Sequence, residues 1–148
     1  MRADPEVVVR RAGPRDRDDL YPLARELATS FESSRTTFVE SFSGLISDPD
    51  VLVLVATEER SGRLIGYLLG FRHETFFAGG PVCWVEEVYT RADWRRAGVA
   101  SALMREFETW AWEGGARLVA LATRRARSFY EAIGYEESAV YFRKLAPE

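Results

Sequence analysis

The sequence predicts an α/β fold, in the broad sense that includes α+β, with a mixed central β-sheet flanked by helices on both faces. The pattern of residues 84–104 predicts a buried strand, a polar turn and an amphipathic helix. The near-continuous apolar run of residues 51–57 is typical of a strand that is covered on both faces. Strands follow one another early in the chain and alternate with helices later, which predicts a mixed sheet. The length of 148 residues fits a single domain over residues 1–148.

The first half of the chain predicts two helices between strands. A GPRD sequence marks the start of the first helix, and Leu20, Leu23 and Leu27 form its apolar stripe. A DPD sequence ends the helical region at Pro49. The predicted elements are strand 6–11, a helix ending near residue 28, helix 36–46, and strands 51–57 and 64–73.

The second half predicts strands that alternate with helices. The amphipathic helix that follows the polar turn stops at the pair Gly114 and Gly115. The predicted elements are strand 84–90, a helix ending at residue 113, strand 117–122, helix 126–133, and one or two closing strands within residues 135–145. The order is therefore β-α-α-β-β-β-α-β-α-β.

Composition and charge exclude several classes of protein. The net charge of −3 provides no basic field, so no nucleic-acid partner is expected. The N-terminal residues contain no long apolar run, which predicts neither a signal peptide nor a membrane partner. The single cysteine, Cys83, fits a reducing compartment and a cytoplasmic location. With His73 as the only histidine, no metal site is predicted.

The turn before the long helix has the composition of an anion-binding site. The first N–H groups of a helix lack internal partners and carry partial positive charge. Gly98 and Ala100 leave the approach to them free of bulk, while Arg95 and Arg96 add charged donors. The alternative is an ordinary turn with solvated arginines. Neither a P-loop nor a G-x-G-x-x-G dinucleotide motif is present, so those two phosphate sites are not predicted.

Two linked motifs resemble those of the GNAT N-acyltransferase superfamily. Arg95-x-x-Gly98-x-Ala100 is similar to the acyl-CoA motif R/Q-x-x-G-x-G/A. Residues 126–135, which begin 26 positions beyond Ala100, resemble A-x-x-F-Y-x-x-x-G-F/Y. The resemblance extends over nearly the whole chain and implies the acyl-CoA N-acyltransferase fold. Ala92, Ala100 and Thr123 depart from the commonest family residues, which are Pro, Gly and Asn.

The resemblance implies acetyl-CoA (coenzyme A) as the acyl donor. Its pantetheine arm would pair with the backbone of the strand before the turn, and its pyrophosphate would lie at the helix start. For Arg125, the alternative to a cofactor contact is a place in a solvated basic face. The residues expected to bind the cofactor are Val88, Tyr89, Thr90, Arg95, Arg96, Ala97, Gly98, Val99, Ala100, Ser101, Thr123 and Arg125.

Three residues are candidates for the proton transfers of acyl transfer to an amine. Glu86 and Glu87 are adjacent in one strand and are expected to point to opposite faces. We favour Glu86 as a base acting through water, because the resemblance implies an acid there, with Glu87 second. An ion pair or an ammonium anchor is the alternative role for each. Tyr130 would protonate the leaving thiolate by resemblance, and a packed core tyrosine is its alternative.

Together these features predict an acetyl-CoA-dependent N-acetyltransferase. The acetyl group would pass by direct attack to a primary amine of a small molecule or a peptide, and the enzyme would be a possible homodimer. The acceptor site is expected between the early helices and the loop 74–81. Its candidate lining residues are Phe31, Phe38, His73, Phe76 and Phe77. A non-catalytic acyl-CoA-binding sensor and a structural interaction domain are the alternatives.

Overall fold

A computed structural model describes residues 6–28 and 30–148, and its core is a five-stranded mixed sheet with helices on both faces, as predicted. The strands are β1 (Val7–Arg11), β2 (Val51–Glu58), β3 (Leu64–Glu74), β4 (Pro81–Thr90) and β5 (Val119–Leu121). The helices are α1 (Arg17–Leu27), α2 (Arg35–Ser47), α3 (Val99–Glu113) and α4 (Arg127–Ala132). Within the described ranges, no helix combines the length and the apolar character that a membrane crossing needs.

The strands lie in the order β1-β2-β3-β4-β5. Neighbouring strands from β1 to β4 are antiparallel, whereas β5 runs parallel to β4. The pairing of β4 with β5 is limited to residues 83–85 against residues 119–121. Beyond Val85, the edge of β4 that faces β5 is therefore open, and this opening determines where the candidate site lies.

The sheet carries a separate apolar core on each face. Leu52, Leu54 and Ala56 of β2 point to the face covered by α3, where they pack near Leu103 and Phe107. The alternating residues Val51, Val53 and Val55 point to the opposite face, which α1 and α2 cover. This arrangement confirms the prediction that residues 51–57 form a strand buried on both faces, because all seven side chains are buried.

Two glycines of β3 allow α3 to lie close to the sheet. A Cβ on Gly66 would lie 2.8 Å from the carbonyl oxygen of Tyr89 and 2.9 Å from Cγ1 of Val99. A Cβ on Gly70 would overlap the ring of Phe107, which is fully buried. Glycine is unfavourable in strand interiors. Here it provides the space in which the helix that begins at Val99 packs against the strand pair.

An ion pair holds the start of α1 against β1. The guanidinium of Arg10 donates two hydrogen bonds to the Asp16 carboxylate, at 2.7 and 2.9 Å, and the backbone N–H of Gly13 donates a third at 2.7 Å. Asp16 is buried, and the hydrogen bonds from Arg10 hold the pKa of its carboxyl below the usual value despite that burial. These bonds position α1, which forms one wall of the cavity described below.

The predicted closing strands within residues 135–145 are wrong. Residues 136–148 contain no strand, and Val140, Tyr141 and Phe142 are exposed. Residue types that favour strands are not sufficient for a strand, because each strand needs a neighbouring edge with which to pair. The strand predicted for residues 117–122 is likewise reduced to Val119–Leu121, since its pairing with β4 ends there.

The approach of α3 to β3 predicts opposite effects for two Gly→Ala substitutions. Gly70→Ala forces a methyl group into the Phe107 ring and should lower the free energy of unfolding by about 1–3 kcal/mol. Gly44→Ala, in the exposed interior of α2 with nothing within 4 Å of the new Cβ, should raise it by about 0.5–1 kcal/mol. Urea unfolding of both variants measures the two changes. Equal stability of the Gly70→Ala variant and the wild type would contradict the packing described.

Candidate functional site

A β-bulge in β4 marks the centre of the site. Leu69 pairs with Glu87 and Gly70 pairs with Val85, so Glu86 is an additional residue with no partner in β3. The bulge shifts the alternation of side chains: Val85 and Val88 both face the α3 core, whereas Tyr89 faces the core under α1 and α2. It also coincides with the end of the pairing between β4 and β5. Residues 87–90 therefore pair with β3 on one side and present an open edge on the other.

The N-terminus of α3 follows this open edge after the turn of residues 91–98. Helical hydrogen bonding begins where the Ala102 N–H donates to the Gly98 carbonyl oxygen at 3.0 Å. The N–H groups of residues 98–101 therefore have no acceptor within the helix. Gly98 has a φ of 81°, and a Cβ there would meet nothing within 4 Å. The helix start is thus an open group of donors at the positive end of the helix dipole.

The basic residues predicted for this junction lie around the helix start and are exposed. Arg95 and Arg96 are solvent-accessible, and Arg96 adopts a φ of 65°, which is uncommon for a residue other than glycine. Arg125 is also exposed, in the turn that precedes α4. The Thr123 hydroxyl accepts a hydrogen bond from the Ala126 N–H at 3.1 Å, so it supports the start of α4.

Tyr130 is half-buried on α4, and its ring packs against the core beneath α3. The rings of Phe129 and Tyr135 meet it edge-on, with centroids at 4.9 and 5.8 Å. Burial raises the pKa of Tyr130, so its phenol keeps its proton at neutral pH. Within residues 6–28 and 30–148, its hydroxyl has no hydrogen-bond partner, which leaves the proton available to a bound molecule. The ring of Tyr130 also packs against the core, which is the role weighed above as the alternative to proton transfer.

A cavity of about 440 Å³ opens on the other face of the sheet, between the sheet and the helices α1 and α2. Its volume falls within the range of small-molecule sites. Phe31 and Phe38, two of the five residues predicted to line the acceptor site, line this cavity, and Glu87 of β4 contributes a carboxylate. The polar residues that line the cavity are Ser30, Ser33, Thr37, Ser41, Tyr67, Glu87 and Arg143.

The two adjacent glutamates differ in their surroundings. Glu87 is half-buried, and its carboxylate accepts a hydrogen bond of 2.7 Å from the Tyr67 hydroxyl. Burial and the neighbouring carboxylate raise the pKa of Tyr67, so the phenol stays protonated and keeps donating. Glu86 occupies the bulge, is exposed, and does not line the cavity. Glu87, the second choice drawn from the sequence, is therefore the glutamate that lines the cavity.

The comparisons with known proteins agree with this arrangement of strand, helix and turn. A family model described as "Acetyltransferase (GNAT) family" matches residues 17–135. The chain belongs to this family. An "Aminoglycoside N(6')-acetyltransferase type 1" from Acinetobacter genomosp. 13 is 36% identical over 70 residues, which cover 43% of this GNAT chain and 48% of that protein. This chain therefore spans about half the length of the curated relative that it matches.

Solved structures share the fold of this GNAT chain over nearly its whole length. Glucosamine-6-phosphate N-acetyltransferase from Arabidopsis thaliana has a TM-score of 0.84 at 18% identity and covers 95% of this chain and 98% of its own. Aminoglycoside N-acetyltransferase AAC(6')-Iy, solved in complex with CoA, has a TM-score of 0.82 at 17% identity and covers 99% of both chains. At these identities the likeness shows the fold, and the predicted acyl-CoA N-acyltransferase fold is confirmed.

Three of the predicted acceptor residues of this GNAT chain lie away from the cavity. His73 is exposed near the end of β3, and Phe76 and Phe77 are exposed in the loop that follows it. This loop joins the start of β4, whereas the cavity lies beside the second half of that strand. The cavity therefore lies beneath the early helices but not beside loop 74–81, whereas the acceptor site was predicted between the two.

Two polar residues of the cavity, Tyr67 and Arg143, are not among the predicted site residues. Tyr67 lies in an apolar stretch of its strand. The only sign of its role in the sequence is that its hydroxyl needs a hydrogen-bond partner, which the neighbouring apolar residues do not provide. Arg143 belongs to the C-terminal segment, where its Nη1 donates to the Ser30 hydroxyl at 3.3 Å. No local pattern predicts that contact, because 113 residues separate the two side chains.

Proposed function

We propose that this GNAT chain transfers an acetyl group from acetyl-CoA to a primary amine of a small molecule. The observation that carries the proposal is the position of one strand between two different sites. Beside the second half of β4 are an open backbone edge and the donor-rich start of α3. On the face toward α1 and α2, the same stretch contributes Glu87 to a cavity of small-molecule size. A donor and an acceptor that occupy these two sites would meet at β4.

The residues around the start of α3 fit the cofactor. Its pyrophosphate would accept hydrogen bonds from the N–H groups of residues 98–101, with Arg95 and Arg96 beside it as exposed cations. The open edge of residues 88–90 would hydrogen-bond the pantetheine arm, as a sheet edge binds an extended peptide. Thr123 and Arg125 are the remaining proposed contacts. When bound, acetyl-CoA supplies an acetyl group activated as a thioester.

Glu87 is the proposed base. An alkyl ammonium has a pKa of about 10.4, so most of the acceptor arrives protonated and unable to attack a carbonyl. The Glu87 carboxylate would attract this ammonium into the cavity and accept its proton, directly or through a water molecule. Tyr67 would hold the carboxylate in place through its 2.7 Å hydrogen bond. The backbone N–H groups of β4 would stabilise the charge that develops on the carbonyl oxygen.

Tyr130 is the proposed acid. A thiolate leaving group has a conjugate acid of pKa about 8.5, which is below that of a tyrosine. Burial raises the pKa of Tyr130 further, so the phenol would be protonated when the thiolate departs. It would donate this proton or a hydrogen bond to the sulfur. Direct attack by the amine also fits the surroundings of Cys83, which is buried in the core, whereas His73, the only histidine of the sequence, is exposed.

The proposed pyrophosphate site predicts weaker CoA binding in Gly98→Ala. Gly98 and Gly115 both have a φ of 81° with nothing within 4 Å of a new Cβ, so either substitution should cost about 1–2 kcal/mol of stability. Only Gly98 lies beside the proposed site, so its variant should bind CoA about tenfold more weakly, a loss of about 1.4 kcal/mol.

A thermal-shift titration with CoA measures this difference. Wild type and Gly115→Ala should gain about 2.7 kcal/mol at a hundredfold excess of CoA over the dissociation constant. The absence of any shift in the wild type would support the structural interaction domain instead. Equal binding by the Gly98→Ala and Gly115→Ala variants would place the pyrophosphate elsewhere.

The role proposed for Tyr130 predicts that Tyr130→Phe lowers kcat about 10²-fold, within the usual range for loss of a general acid. Its KM for acetyl-CoA should change little, because the ring is retained. Tyr141→Phe, which removes an exposed hydroxyl from the C-terminal segment, is the matched control. Thiol release with acetyl-CoA and an amine panel provides the rates. Binding of CoA without thiol release from any amine would indicate the sensor alternative.

The role proposed for Glu87 predicts that Glu87→Gln loses about 10²-fold in kcat/KM for the amine, whereas Glu86→Gln loses much less. Both substitutions remove one charge from adjacent residues, so the comparison separates position from net charge. The same thiol-release assay, run across a range of pH, measures both. A larger loss in Glu86→Gln would indicate that the base is Glu86, the residue that the family resemblance implies.

A further inference from the structure

The lining of the cavity under α1 and α2 also indicates which amines it accepts. We propose that the acceptor is an amine with a single ammonium group on an aliphatic or aromatic body, and not a polycation such as an aminoglycoside. This inference rests on the proposed N-acetyltransferase function and specifies its substrate class. The curated relative is named as an aminoglycoside acetyltransferase, so the inference gives this chain a different class of acceptor.

The walls of the cavity favour an apolar body. Ten of the seventeen described lining residues are Ala, Val, Leu or Phe. Phe38 lies in an aromatic row with Tyr21 and Phe42, with ring centroids 5.2 and 5.7 Å from its own. An alkyl chain or an aromatic ring in contact with these walls leaves water at a gain in free energy. A polyhydroxylated sugar would instead lose hydrogen bonds to water that the apolar walls do not replace.

The charges in the cavity favour one ammonium group. Among the described lining residues, Glu87 and Arg143 are the only charged ones, and their charges are opposite. Glu87 lies on the sheet, where the Tyr67 hydroxyl holds its carboxylate. One ammonium can pair with it there. A second ammonium on the same molecule would find no further carboxylate in the lining, and the removal of an unpaired charge from water is unfavourable.

Arg143 adds a repulsive element. Its side chain donates to the hydroxyl of Ser30, an exposed residue in the connection between α1 and α2. Ser30 and the exposed ring of Phe31 both line the cavity, so the guanidinium lies where the cavity meets solvent. A substrate whose ammonium pairs with Glu87 would leave its far end near this guanidinium. A neutral apolar end is tolerated there, whereas a second cation is repelled.

Hexylamine and hexamethylenediamine provide a matched test, because they share one six-carbon body and differ in their second ammonium group. In the thiol-release assay with wild-type protein and acetyl-CoA, kcat/KM for hexylamine should exceed that for the diamine by about tenfold or more. Phenethylamine should resemble hexylamine, and neamine, a polycationic sugar, should resemble the diamine. Faster turnover of neamine or the diamine overturns the inference while it leaves the proposed function intact. No thiol release with any of the four amines overturns the proposed function itself.

A charge added at the mouth of the cavity should change this preference. Phe31 is 69% exposed, so Phe31→Glu places a carboxylate beside the cavity without disturbing the core. The preference for hexylamine over the diamine should fall by about threefold or more in this variant. Trp112→Glu adds the same charge at an exposed position of α3 outside the cavity and should leave the preference unchanged. A preference that changes equally in both variants would show that net charge, and not the cavity, selects the amine.

Discussion

The structure depends on the point at which β4 separates from β5. Parallel pairing lasts for three residues, up to Val85, and the bulge at Glu86 follows at once. Up to this point β4 is an ordinary interior strand, and after it the strand has a free row of N–H and C=O groups on one side. Such a row is normally a liability, because it invites pairing with another chain. Here the turn of residues 91–98 connects this row to the start of α3, where further N–H groups have no acceptor within the helix. The strand edge and the helix start together offer hydrogen bonds that suit an extended anionic ligand.

The bulge also determines which side chains reach the cavity. In a regular strand, residues two apart share a face, so Val85 and Glu87 would lie on the same side. The additional residue at Glu86 breaks this alternation, and Val88 joins Val85 in the core under α3. Glu87 is thereby placed on the side of α1 and α2, within reach of the Tyr67 hydroxyl. A single inserted residue thus brings a carboxylate into a face that is otherwise apolar.

Local patterns were sufficient for most of the fold. The buried run of residues 51–57, the amphipathic helix that ends at Glu113 and the basic turn before it each have short-range signals, and each is present in the structure. The bulge has no such signal, because adjacent glutamates look the same in a regular strand as in a bulged one. The same limit applies to residues 136–148: Val140, Tyr141 and Phe142 are residue types that favour strands, but only the three-dimensional arrangement shows whether a neighbouring edge is present.

The candidate cavity is harder to predict than the proposed phosphate-binding junction, for a physical reason. The junction is built from backbone groups within one short segment, so sequence spacing describes it well. The cavity is built from side chains of α1, α2, β2, β3, β4 and the C-terminal segment, and its charge balance depends on contacts such as that between Arg143 and Ser30. The aromatic residues Phe76 and Phe77 suggested a binding loop by composition alone, yet their strand end lies away from Glu87. Because the two sites arise from such different interactions, relatives with the same junction can differ in their acceptors. A shared fold therefore supports a common donor more strongly than it supports a common amine.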